Sequence, residues 1–239
     1  MNKTIEQLPA LELVKKVPDA SVDIVLTDPP FLVRSNAYKQ IRYGKSVVKN
    51  VLPTIPTVEK HYLIDVFSEC MKKLKKTGWL MFKSDDYTAR ELYTTIQGAD
   101  YMFTVIWDKM NILLGYYNRK EHEIIEVYRP KNAVNSYYKY RPSLSGSNTQ
   151  KTKAVPSIIK VPKYNLGSFV YYHREEKDIH INQTPPMLWR ILLDGYCPMD
   201  GTILDPFCGT CSVLKAAEEL GYTGHYYGGD IELSKYLSP

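Results

Sequence analysis

Short apolar runs alternate along the chain with longer stretches in which apolar residues recur every three or four positions. The runs at 21–27, 79–83, 101–107, 123–128, 202–204 and 225–229 are rich in Val, Ile, Leu and aromatic residues and read as strands, with 4–8 as a further candidate. The 3.6-residue period predicts helices over about 9–17, 58–76, 85–98, 185–196 and 211–221. Strands that alternate with helices predict βα units around a mostly parallel sheet, an α/β fold. No internal repeat or low-complexity tract interrupts the pattern.

Two segments break the rhythm. One is 33–57, which carries Arg34, Lys39, Arg42, Lys45 and Lys49. The other is 131–178, rich in Ser, Asn, Pro and Lys. Long segments without elements of their own are more often functional than idle inside a compact domain, so both are expected to meet a partner.

Charge sharpens that expectation. The net charge is only +5, but residues 131–178 hold nine Lys/Arg against three acids, so the rest of the chain is nearly neutral. Tyr137, Tyr138, Tyr140, Tyr164, Tyr171 and Tyr172 are interleaved with them. Cations mixed with aromatic rings suit a polyanion with stacked bases, and a solvated loop is the plainer alternative. With 44% apolar and 24% charged residues among 239, the chain can bury a full core and is not disordered. No apolar stretch nears the ~20 residues of a membrane span, and the N-terminal MNKTIEQLPALELVKK has no signal-peptide core. A soluble, cytoplasmic protein is expected.

Metal chemistry finds little support. Cys208-Gly209-Thr210-Cys211 has the spacing of a redox pair or half a zinc site, but no second pair supplies the remaining ligands. Small residues in a glycine turn explain it equally well. His122-Glu123-Ile124-Ile125-Glu126 lacks the second histidine of a zinc helix and reads as a strand.

Two motifs carry the chemistry. In VDIVLTDPPFLV, residues 22–33, an apolar strand runs into Asp28-Pro29-Pro30-Phe31. Prolines end a strand readily, yet they require neither the acid before them nor the ring after them. The second motif, Thr202-Ile-Leu-Asp205-Pro-Phe207-Cys-Gly209-Thr-Cys-Ser, is a strand, a glycine-containing turn and a helix, and the later strand HYYGGD ends in Asp230. The turn lets backbone approach a ligand, while an acid ending the next strand can accept hydrogen bonds from ribose hydroxyls. No G-K-[ST] follows this turn and a G-x-G-x-x-G is absent, which favours a nucleoside-containing ligand over a triphosphate or dinucleotide.

Together and in this order, the motifs resemble the β group of S-adenosylmethionine-dependent DNA amino-methyltransferases, which modify adenine N6 or cytosine N4. VIWDKMN (105–111), NRKEHEIIEVYRP (118–130) and HINQTPP (180–186) extend the resemblance over nearly the whole chain. It implies a circularly permuted Rossmann-like sheet in which strand 4–8 lies beside the strand ending in Asp230. It also implies a catalytic region over 1–130, a target-recognition region over 131–178 and a cofactor-binding region over 179–239.

The resemblance further implies roles. Asp28, Pro29, Pro30 and Phe31 are the catalytic set. Asp205, Phe207, Gly209, Thr210, Ser212, Asp230, Gln183, Thr184 and Pro185 would hold S-adenosylmethionine. Arg34, Lys39, Arg42, Lys139, Arg141, Lys151, Lys153, Lys160 and Lys163 would contact double-stranded DNA. A homodimer and a cognate restriction endonuclease are the further candidate partners. This chain departs from the family with Cys211 at a glycine position, Thr184 at a lysine position and Pro9 at an aspartate position. Aspartate in the first motif favours adenine N6, with cytosine N4 as the alternative. A DNA-binding module with impaired cofactor binding is the non-enzymatic alternative.

Overall fold

A computed structural model describes residues 1–32, 57–110, 121–134, 155–161 and 184–233. Its centre is an eight-stranded sheet. In chain order the elements are β1 (Asn2–Glu6), α1 (Ala10–Lys16), β2 (Val22–Thr27), β3 (Phe31–Leu32), β4 (Thr57–Val58), α2 (Lys60–Lys73), β5 (Leu74–Ser84) and α3 (Asp86–Leu92). There follow β6 (Ala99–Asp108), β7 (His122–Pro130), β8 (Ile158–Lys160), α4 (Pro186–Tyr196), β9 (Ile203–Asp205), α5 (Ser212–Glu219) and β10 (His225–Gly229). The strand order is β1-β10-β9-β2-β5-β7-β6-β8, and β3 pairs with β4 apart from it.

Every residue of β2 is buried, as expected of a central strand covered on both faces. Alternation sorts its side chains from Ile24 onward, and a register shift between Val22 and Ile24 turns Val22 to the other face. Ile24 and Leu26 join a core that includes Leu188, Trp189, Leu192 and Leu193 of α4 and Val213 and Ala217 of α5. Val22 and Val25 join the opposite core, with Leu13 and Val14 of α1 and Leu63, Val66 and Phe67 of α2. The result is a three-layer α/β/α sandwich.

β1, β10, β9, β2 and β5 run parallel, whereas β7 is antiparallel to both β5 and β6. β9 and β2 are neighbours in the sheet, and from them the winding runs outward in opposite directions, to β10 beyond β9 and to β5 beyond β2. In an open sheet of this kind ligands bind at the carboxyl ends of the strands where the winding reverses. Asp205 ends β9 and Asp28 follows β2, so the reversal lies between the two sequence motifs. The N-terminal strand β1 pairs in parallel with β10, in register from Asn2 with His225 to Glu6 with Gly229. The permuted arrangement that the resemblance implied is therefore present.

The elements depart from the sequence pattern at their ends. β1 covers 2–6 rather than 4–8, because Leu8 N–H turns back to the Glu6 carbonyl and Pro9 opens α1. α2 stops at Lys73 rather than 76, since Leu74 already pairs with Val22 of β2. α3 ends at Leu92 rather than 98, where both the backbone N–H and the hydroxyl of Thr95 bond the Leu92 carbonyl. β8 lies inside the segment expected to be irregular and adds an edge strand to β6. Among the described residues no helix is long and apolar enough to cross a membrane.

Candidate active site

Thr27, the last residue of β2, sits at the switch between the two motifs. Its hydroxyl donates to Asp205 Oδ1 at 2.6 Å and accepts the Phe207 N–H at 3.3 Å. The Tyr226 hydroxyl of β10 donates to the other oxygen, Oδ2, at 3.2 Å. Burial pushes the Asp205 carboxyl up to about 7, against the opposing pull of the Thr27, Tyr226 and Phe207 donors.

The turn after β9 is held by backbone. Cys208 N–H donates to the Gly229 carbonyl at 2.9 Å, and Gly209 N–H donates to Asp230 Oδ2 at 3.1 Å. Gly209 has φ +46°, and a Cβ there would project toward Asp230 Oδ2 at 3.9 Å. Cys211 adopts φ +58° immediately before α5. It takes the left-handed conformation that glycine adopts freely, which costs a non-glycine residue about 1–2 kcal/mol. The Cys211 thiol points to Cys208 Sγ at 3.7 Å, and both are buried free cysteines. Among the described residues no group of three or more His, Cys, Asp or Glu is placed to hold a metal.

Ser212 opens α5 and accepts the Trp189 indole N–H at 2.9 Å, tying α5 to α4. Phe207 and Thr210 are half-buried on the turn, and Pro185 caps α4, its carbonyl accepting Leu188 N–H. The buried Asp205, the Gly209 turn and Asp230 thus gather at the carboxyl ends of β9 and β10, an arrangement that suits a nucleoside-type ligand carrying hydroxyls.

Asp28 lies on the other side of the switch. Its Oδ2 accepts the Thr184 hydroxyl at 2.7 Å and pairs with Lys83 Nζ at 2.8 Å. Lys83 also reaches Glu123 Oε2 at 3.0 Å, and Lys109 pairs with Glu123 Oε1 at 2.8 Å. Both ammonium groups stand 5.8 Å from the centroid of the buried Trp107 ring, a cation–π arrangement. Burial raises the Asp28 carboxyl above the ordinary range, with Lys83 pulling the other way. Burial also opposes the charge of Glu123, but Lys83 and Lys109 outweigh it and hold that acid down at about 2. Removing one partner from a buried pair of this kind costs about 3–5 kcal/mol.

Pro29 is buried, while Pro30 and Phe31 are half-buried. Phe31 starts β3, and the next residue, Leu32, donates its N–H to Thr88 Oγ1 at 3.1 Å. Thr88 is itself fixed by the Asp85 cap of α3. A short strand and a helix start therefore hold the ring after the two prolines.

The fold thus joins Asp28 to Thr184, Thr27 to Asp205 and Gly209 to Asp230. Gln183, Arg34, Lys39, Arg42, Lys139, Arg141, Lys151, Lys153 and Lys163 lie outside the described residues. Lys160 is exposed at the end of β8, 4.0 Å from Asp108. Pro9 precedes α1, its carbonyl accepting the N–H groups of Glu12 and Leu13. The sequence reading missed Thr27, Lys83, Lys109 and Glu123 as site residues. The available signal was a charge at the end of an apolar run, as in Trp79-Leu-Met-Phe-Lys83.

Known proteins carry the same architecture. The chain is similar to the Type II methyltransferase M.HinfI of Haemophilus influenzae, at 24% identity over 98% of this chain and 66% of that protein. It is also similar to the DNA adenine methyltransferase YhdJ of Escherichia coli, at 27% identity over 87% of this chain and 72% of that protein. The chain therefore spans about two thirds of the length of these relatives. The solved structure of an M1.HpyAVI–SAM complex superposes with a TM-score of 0.60 at 14% identity, covering 98% of this chain and 95% of that one. The DNA methylase family matches residues 22–237, from the first residue of β2 to beyond Asp230, and this chain belongs to that family.

Proposed function

We propose that this chain transfers a methyl group from S-adenosylmethionine to the N6 amine of an adenine flipped out of duplex DNA at a short specific sequence. The observation that carries this reading is the Thr27–Asp205 hydrogen bond, because it sets the Asp28 motif beside the glycine turn. Asp205, Phe207, Gly209, Thr210, Ser212, Asp230, Gln183, Thr184 and Pro185 would hold the cofactor. The fit is chemical: the Gly209 cradle leaves room for a ligand, and Asp230 offers carboxylate oxygens suited to ribose hydroxyls. Bound there, the cofactor supplies an electrophilic methyl group on a sulfonium.

The protein's role is to present the amine. The exocyclic nitrogen of adenine is a poor nucleophile, since its lone pair is delocalised into the ring. Acceptors on its two N–H bonds favour a pyramidal nitrogen with the lone pair turned outward. The Asp28 carboxylate and the Pro29 carbonyl are those acceptors, and proline's fixed φ keeps the second one in place. Such alignment can lower a barrier by up to roughly 7–11 kcal/mol. Asp28 need not be a strong base, because the methylated nitrogen loses its proton readily.

Flipping the base costs a few kcal/mol. Stacking on Phe31 returns about 1–3 kcal/mol, so phosphate and base contacts must supply the remainder. Arg34, Lys39, Arg42, Lys139, Arg141, Lys151, Lys153, Lys160 and Lys163 are the cations assigned to them. In this reading residues 131–178 form the target-recognition region, between a catalytic region over 1–130 and a cofactor-binding region over 179–239. Cytoplasmic location, homodimer formation and pairing with a cognate restriction endonuclease belong to the same proposal.

The test is base modification in DNA from a methylation-free host expressing the protein, read at single-base resolution. N6-methyladenine confined to one short sequence is expected. N4-methylcytosine would keep the mechanism and change the base, which the N6/N4 scope of the family favours as the second reading. Unmodified DNA from cells containing folded protein would overturn the assignment.

A further inference from the structure

Four charged side chains from four neighbouring strands form one row at the carboxyl end of the sheet. In order they are Asp28 after β2, Lys83 of β5, Glu123 of β7 and Lys109 after β6, with alternating sign. The side chains of Lys83 and Lys109 are 7% and 2% exposed and that of Glu123 is 16% exposed, so the row is screened from water along most of its length. Its most exposed member is Asp28, whose side chain is 28% exposed. Surface ion pairs do not need this depth, and the reading of the motifs gave the three inner residues no role.

We propose that Lys83 is a positioning residue, which holds one edge of the Asp28 carboxylate so that the other edge faces the target amine. This inference rests on the proposed function. Both partners of Asp28, Lys83 and Thr184, engage the same oxygen, Oδ2. Among the described residues no donor reaches Oδ1. A carboxylate held along one edge cannot rotate, and its other oxygen stays aimed at one place.

Lys83 also opposes the burial that favours the proton on Asp28. Glu123 fixes Lys83 from behind, while its own charge works against ionised Asp28. Lys109 and the Trp107 face hold Glu123 and Lys83 in register. Asp205 also interacts with Asp28, and it is common to all the variants below.

The geometry requires effects of opposite sign from two members of the row. In Lys83→Met, Asp28 loses its cation, so the acid limb of the single-turnover methylation profile should move up by about one to three pH units. In Glu123→Gln, Asp28 keeps Lys83 and loses a neighbouring negative charge, so the limb should move down. Turnover should fall in Lys83→Met with KM unchanged, and Lys83→Arg should restore part of it. A brace with only a structural role would lower stability or rate without moving the limb in opposite directions.

The carboxyl 13C resonance of Asp28, assigned by its loss in Asp28→Ala, follows the same titration without any catalysis. Opposite movement of that resonance in the two variants supports the row. Unmoved resonances in folded Lys83→Met and Glu123→Gln overturn it, whether or not the wild type methylates DNA. Opposite movement in a protein that methylates nothing would leave the charge row standing and sink the proposed function instead. Should Lys83→Met not fold, the downward shift in Glu123→Gln decides the matter: its absence overturns the proposal.

Discussion

Thr27 Oγ1 stands 2.6 Å from Asp205 Oδ1, joining two residues 178 positions apart in the chain. One closes the strand that delivers Asp28, and the other closes the strand that enters the glycine turn. Beside the β2–β9 pairing, this hydroxyl ties the strand end that leads to Asp28 to the one that enters the glycine turn.

Thr27→Val keeps the shape and removes the donor. Thr27 is fully buried, so Asp205 would lose a partner that water cannot replace. The expected loss of stability is about 1–3 kcal/mol. Denaturant unfolding measures it, and calorimetry should show weaker S-adenosylmethionine binding. Wild-type stability and affinity together would show that the bond joins nothing of consequence.

The pH dependence has a definite sign. Burial first, opposed by its three donors, sets Asp205 at about 7, well above the ~3.9 of an unfolded aspartate. Between those values the folded chain binds the extra proton, so this residue's contribution to stability is full below pH ~4 and is lost as pH rises to ~7. Asp205→Asn removes the titration. Carboxylates held low, such as Glu123, work in the opposite sense but are common to both proteins. The difference in unfolding free energy, wild type minus Asp205→Asn, should fall across about pH 4–7 and level off above it. A flat difference would show that Asp205 ionises normally.

Asp28→Ala should reduce methyl transfer by at least about 10²–10³, the range for losing one aligned polar group. DNA affinity should be largely retained, as measured by fluorescence anisotropy. Phe31→Ala should slow transfer by the equivalent of one base–aromatic stack, about 1–3 kcal/mol, and Phe31→Tyr should recover it. Loss of DNA binding with normal turnover would contradict both roles.

Gly228 packs edge-on against the ring of Tyr226, and a Cβ there would come within 2.5 Å of ring carbon Cε1. Tyr226 is fully buried and cannot swing aside. Gly228→Ala should cost about 1–3 kcal/mol through overpacking. It should also displace the tyrosine hydroxyl from Asp205, which a thermal melt and cofactor titration would detect. An unchanged melting temperature would argue against this packing.

How much of this was legible in the chain follows from the range of each interaction. An apolar run marked β2, because burial on both faces leaves few polar positions to obscure a strand. Asp28-Pro29-Pro30-Phe31 and the Asp205 turn were visible because their chemistry is written in consecutive residues. The ends of β1, α2 and α3 were not, since each is set by a partner elsewhere or by a local turn. Leu74 is a strand residue only because Val22 lies beside it.

The alternating row behind Asp28 was illegible for the same reason. Lys83, Glu123 and Lys109 look in sequence like ordinary charges at strand ends, and nothing local gives them a common neighbour. The sequence by itself determined the two motifs, their order and the α/β rhythm. Only the tertiary structure decided that Thr27 of β2 meets Asp205 of β9, that β1 meets β10 in register from Asn2 to Glu6, and that a buried lysine faces Asp28. Strand order and side-chain pairing depend on contacts between distant residues, and those exist only once the sheet has assembled.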